Sequence, residues 1–121
     1  KNRKNHIHSI LLSKIFSKKK NYLQGIKSCN MAFFRQDCIN INGFNNEFNG
    51  WGREDTEFIV RLMNSNIIRK TLRFNAIQYH LWHPLSSKKP LKENELLLKS
   101  TIENNIKFCE NGISSCLKEF K

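Results

Sequence analysis

The 121-residue chain is long enough for one small domain with a modest core, and its 39% hydrophobic content, with nine Phe, two Tyr and two Trp, excludes a disordered tail. A formal charge of +11 points to an anionic partner, whether a phosphate-bearing substrate, nucleic acid or an acidic membrane face, and says nothing about fold. No apolar run exceeds Met31–Phe34, so no segment is suited to crossing a bilayer; the opening on Lys1 without an apolar leader predicts a piece of something longer.

Residues 1–24 are basic, with Ile7, Ile10, Leu11, Ile15 and Phe16 at helical spacing ahead of Lys18-Lys19-Lys20. This predicts a short amphipathic helix that packs on its own domain or rests on an anionic membrane. Residues 25–85 form the next part, where Gly25, Gly43, Gly50, Gly52 and Trp51 fall. Here Gly25–Phe34 reads as extended, Arg35–Ile41 as a short helix and Asn42–Asn46 as a loop. Glu54–Asn64 is the clearest helix, with Phe58, Ile59, Leu62 and Met63 as its apolar face, acids in its first turn and Asn64-Ser65-Asn66 as its stop. Strands are predicted over Ile67–Phe74 and Ala76–Trp82, ended by Pro84. The last part, 86–121, is a linker through Pro90 and a helix over Lys92–Phe108 with Leu96, Leu97, Thr101 and Ile106 near one face.

Cys29, Cys38, Cys109 and Cys116 contain no Cys-x-x-Cys pair and do not match a zinc module, so reduced thiols are expected. A Cys109–Cys116 disulfide stays open.

The chemistry concentrates in Asn42-Gly43-Phe44 and, after a short interval, Gly50-Trp51-Gly52-Arg53-Glu54-Asp55. An indole stacks on the apolar face of a sugar ring and keeps its N–H for a hydroxyl. Flanking glycines let the backbone come close to a ligand. A carboxylate at a helix start can take a proton from a sugar hydroxyl. Without further context, Glu54 and Asp55 would be ordinary helix-start acids and Trp51 an ordinary packing residue.

The context exists. Asn-Gly-Phe, Gly-Trp-Gly-x-Glu-Asp and Arg61-Leu62, preceded by Ser28–Phe33 and followed by Tyr79-His80-Leu81-Trp82-His83-Pro84, resemble the acceptor-site signature of GT-A glycosyltransferases of the galactosyltransferase and chondroitin-polymerase type. The resemblance covers residues 25–84 in the family's order. It implies an α/β (α+β) fragment, the C-terminal acceptor half of a GT-A domain, with a short mixed sheet between flanking helices.

The resemblance also implies roles. Asp55 would be the general base, Glu54 a hydrogen-bonding partner of acceptor hydroxyls, and Trp51, with Gly52 and Arg53, the acceptor wall. His80 would be a ligand to Mn²⁺ or Mg²⁺, with His83 as the rival; residues three apart on a strand face opposite ways, so one ion would not take both. Arg53 stands where many relatives have Gly, and Thr56 where some have a second acid. The only aspartates, Asp37 and Asp55, cannot form the family's Asp-x-Asp motif, so a separate N-terminal nucleotide-binding half is expected.

The implied reaction is inverting transfer of a hexose or N-acetylhexosamine from a nucleotide-sugar to a glycan hydroxyl. The Lys/Asn-rich composition adds an expectation of bacterial surface polysaccharide synthesis, in the cytoplasm at the inner membrane face. Self-association through an open sheet edge is also expected. The alternative is a non-enzymatic basic module for nucleic acid or an anionic membrane, but no nucleic-acid motif is present and the cations look spread along the chain.

Overall fold

The computed structural model describes residues 7–75 and 91–118, with side chains as far as 115. Two units result, each from two separated stretches: 1–22 with 68–84, and 23–67 with 85–121. The predicted strand over Ala76–Trp82, the linker, His80 and His83 lie outside the described residues.

In the first unit, Ser9 caps helix α1 (Ile10–Phe16) by accepting the Leu12 N–H at 3.3 Å. Strand β1 (Lys18–Lys19) pairs antiparallel with β2 (Lys70–Thr71), Lys18 opposite Thr71. The ribbon is far shorter than the strand expected over Ile67–Phe74, because both ends are diverted. The Ile67 N–H closes a helix end on Leu62 O at 2.9 Å, and the Arg73 N–H goes to Ser17 Oγ at 3.2 Å. Phe16 and Phe74 meet edge to face, centroids 5.6 Å apart.

The second unit holds α2 (Arg35–Asn40), α3 (Glu54–Asn64), α4 (Leu91–Glu103) and α5 (Ile113–Lys118). Its core is Ile41, Phe58 and Leu62, with Met31, Cys38, Phe44 and Ile59 packed around them. Phe44 stacks on Phe58 at 4.3 Å, and Phe33 leans on the same ring at 4.8 Å. Gly25–Phe34 is not one extended piece: Ser28–Asn30 coils into a 3₁₀ turn, and the Ser28 N–H is taken by a side chain instead of a strand partner.

Helix α3 has the predicted boundaries. Asn66, at φ +65°, ends it in a left-handed turn that returns the Ile67 N–H to Leu62. Helix α4 stops earlier than expected for the same reason: Asn105 takes φ +50° and Ile106 N–H bonds Thr101 O at 3.1 Å. Its inner face also differs. Asn94, Leu98 and Thr101 are buried, whereas Leu96 is 67% exposed. The α4 face that meets α3 is thus partly polar, which an apolar periodicity cannot reveal.

The class is therefore mixed helix with a small two-stranded sheet, compatible with α/β. Cys109 is a free, buried thiol whose pKa is raised by that burial, and the Cys116 side chain lies outside the described residues.

Candidate active site

The loop before α3 is built backwards from the buried side chains that hold it. Arg61, fully buried on α3, forks onto Glu57 one turn earlier, Nε to Oε1 at 2.7 Å and Nη2 to Oε2 at 2.9 Å. The same guanidinium donates to Ile41 O at 2.6 Å and Gly43 O at 2.7 Å. Gly43 sits at φ +72°, and a Cβ there would come within 2.6 Å of two Ile113 side-chain carbons. Neighbouring Asn42 is buried and donates to Cys109 O at 2.7 Å while accepting the Ser114 N–H at 2.8 Å. The Asn-Gly step is thereby locked from both sides.

Between that step and α3 lies the Trp51 loop, held by a second polar clamp. Asn94 of α4 is almost fully buried and donates to Asn49 O at 3.0 Å and Gly52 O at 2.9 Å, bracketing Trp51. Its replacement by Ala orphans two carbonyls, and the expected loss is about 1–3 kcal/mol in urea denaturation, with faster protease cleavage in the loop. Trp51 itself remains 43% exposed, enough to offer an indole surface to a ligand.

Three carboxylates begin α3. Glu54 Oε2 accepts the Gly52 N–H at 3.0 Å, and Gly52 has φ +111°, closed to other residues without strain. Asp55 Oδ2 accepts the Ser28 N–H at 3.0 Å, and Oδ1 accepts the Thr56 N–H at 2.7 Å and hydroxyl at 3.2 Å. The carboxylate is oriented by three donors from two segments and stays half-buried. The third, Glu57, faces inward to Arg61.

Arg53 explains its own oddity. It stands at φ +77°, in the left-handed region where glycine is at ease and an arginine is strained. Its guanidinium turns to Glu95 on α4, at 2.6 and 3.0 Å, and that hydrogen-bonded carboxylate pushes its pKa upward. The pair is exposed and contributes little. Arg53→Gly is therefore expected to be more stable than Arg53→Ala by about 1 kcal/mol, read from urea midpoints.

The structure thus places Trp51, Gly52, Arg53, Glu54 and Asp55 on one strapped loop and helix start. Sequence reasoning gave no role to Asn94 or Glu57, and it placed Arg61 in the family signature without a structural role. The i, i+4 spacing of Glu57 and Arg61 was the available signal for that pair. Among the described residues no cluster of three or more His, Cys, Asp or Glu could hold a metal ion.

Residues 11–84 match the family model described as the N-terminal domain of galactosyltransferase. The chain belongs to that family. Fifty residues are 38% identical to chondroitin sulfate N-acetylgalactosaminyltransferase 1 of mouse and of human, over 41% of this chain. The match spans only 9% of the length of those curated relatives. No solved structure matches the chain. The family match takes in the whole of the Trp51 loop and α3, and also His80 and His83. The matching relatives are animal proteins, so they lend nothing to the bacterial source expected from composition.

Proposed function

We propose that the chain supplies the acceptor-binding part of an inverting, GT-A-type glycosyltransferase, with Asp55 as general base. The observation that carries this reading is the Asp55 carboxylate, oriented by Ser28 and Thr56, four residues after an exposed tryptophan on a strapped loop.

A sugar ring lies on the Trp51 indole, and Glu54 accepts from one of its hydroxyls through the oxygen that Gly52 does not occupy. The attacking hydroxyl points at Asp55 Oδ2, which takes its proton as the acceptor oxygen bonds to the anomeric carbon of the donor. The bond from that carbon to the nucleoside diphosphate breaks, the diphosphate leaves with the electron pair, and the configuration inverts. Ser28 and Thr56 hold the base in place, so little reorganisation is needed at the moment of attack.

The donor is a nucleotide-sugar of the hexose or N-acetylhexosamine class and the acceptor a glycan. Dependence on Mn²⁺ or Mg²⁺ belongs to the same proposal and rests on the resemblance at His80 alone. The described residues do not assemble a metal site. The test is release of nucleoside diphosphate from a panel of nucleotide-sugars by the full-length protein, with and without glycan acceptors. Release that requires an acceptor supports the reading; none with any donor overturns it.

A further inference from the structure

The basic residues are not spread evenly. The segments 1–22 and 68–84 of the first unit carry ten Lys and Arg and no Asp or Glu, whereas the second unit carries eleven and ten. Nearly the whole excess charge therefore belongs to a unit with no acid in it.

Two further features mark that unit. A pocket of about 190 Å³ opens beside the ribbon, lined by Phe16, Lys18, Lys20, Thr71 and Arg73. Beneath the pocket wall the Thr71 hydroxyl is buried without a hydrogen-bond partner, an unusual condition for a buried polar atom. Lys18, Lys20 and Arg73 bring three cations to the lining of one pocket, a seat for a tetrahedral oxyanion. On α1, Ile10, Leu11 and Ile15 are 64%, 69% and 60% exposed, Ile7 precedes them, and Lys14 lies among them. At 100° per residue Ile10, Leu11, Lys14 and Ile15 share one outward arc of the helix.

We infer that this unit docks on an anionic phospholipid surface, with lipid phosphate in the Lys18–Lys20–Thr71–Arg73 pocket and the α1 arc in the headgroup layer. Phosphate chemistry alone would also admit a nucleoside diphosphate or a nucleic acid. Neither gives aliphatic side chains anything to enter, and a lipid surface does. Lys14, long and unbranched, reaches back to the headgroups from within the arc. The inference does not depend on the proposed glycosyl transfer and survives if that reading fails.

Co-sedimentation of the full chain with vesicles decides it, using phosphatidylcholine alone or mixed with phosphatidylglycerol. The expected result is pelleting with the anionic vesicles only, weakening as salt rises. Lys18→Gln with Arg73→Gln should lower the partition roughly tenfold or more. Leu11→Ser, at an exposed position that folding does not use, should also lower it several-fold. Circular dichroism confirms that the variants fold. Pelleting with neutral vesicles alike, or indifference to both sets of substitutions, overturns the inference. Saturable binding of inorganic pyrophosphate or of a DNA duplex, abolished by the double substitution while vesicles are ignored, assigns the pocket to that ligand and overturns it equally.

Discussion

Replacing Arg61 with methionine is expected to destabilise the chain by about 3–5 kcal/mol, most of what a domain of this size has to lose. Three losses combine. Glu57 is left as a buried carboxylate without its cation, and the carbonyls of Ile41 and Gly43 lose the guanidinium, Ile41 O keeping only the long bond from the Cys109 N–H at 3.5 Å. Thr101, whose hydroxyl reaches Glu57 Oε1 at 3.3 Å, is disturbed with them. Removing both charges, as Glu57→Leu with Arg61→Met, recovers only part of the loss. In many proteins a buried pair can be exchanged for apolar residues at little cost. Here the Gly43 carbonyl keeps needing the guanidinium, at about 1–3 kcal/mol for a buried group left unmade, and Ile41 O keeps only a long bond. Arg61→Lys also fails, since one ammonium cannot reproduce a planar fork aimed at several acceptors. Urea denaturation followed by circular dichroism gives the numbers; a loss below about 1 kcal/mol for Arg61→Met would show the pair to be dispensable.

Asp55→Asn is expected to lower kcat for glycosyl transfer by about 10²–10⁴-fold, the usual contribution of a positioned general base. The amide keeps the size of the carboxylate and part of its hydrogen bonding, so the loop and the Trp51 wall remain. KM for the acceptor therefore changes little, and the loss falls on the chemical step. Asp55→Ala would confuse the two, because it frees the Ser28 N–H and the Thr56 hydroxyl as well as removing the base. A rate within tenfold of the parent in Asp55→Asn would remove Asp55 from the reaction.

What the sequence makes legible is what is written in local pattern. Helix α3 was legible, because apolar spacing, first-turn acids and the terminal Asn66 all agree. The Trp51-to-Asp55 stretch was, because its motif is contiguous. Helix α1 was visible as an amphipathic segment, yet that it is left outward-facing depends on what packs against it. The short ribbon was not legible: Ile67 and Arg73 spend their N–H groups on a helix end and a serine, a choice made by neighbours in space. Asn94 was invisible for a similar reason, since only its distance from Asn49 and Gly52 reveals its work. The concentration of charge needed the pairing of residues 1–22 with 68–84, two stretches far apart in the chain.

A sugar that docks as proposed lies against the Trp51 loop and the start of α3. Amide and indole N–H chemical-shift mapping on the labelled chain, titrated with methyl glycosides of hexoses, N-acetylhexosamines and hexuronates, detects that contact. Saturable shifts are expected at the Trp51 indole N–H and the amides of Gly52 to Asp55, lost in Trp51→Ala. Shifts confined to residues 10–22 and 69–73, or undiminished in Trp51→Ala, would contradict it.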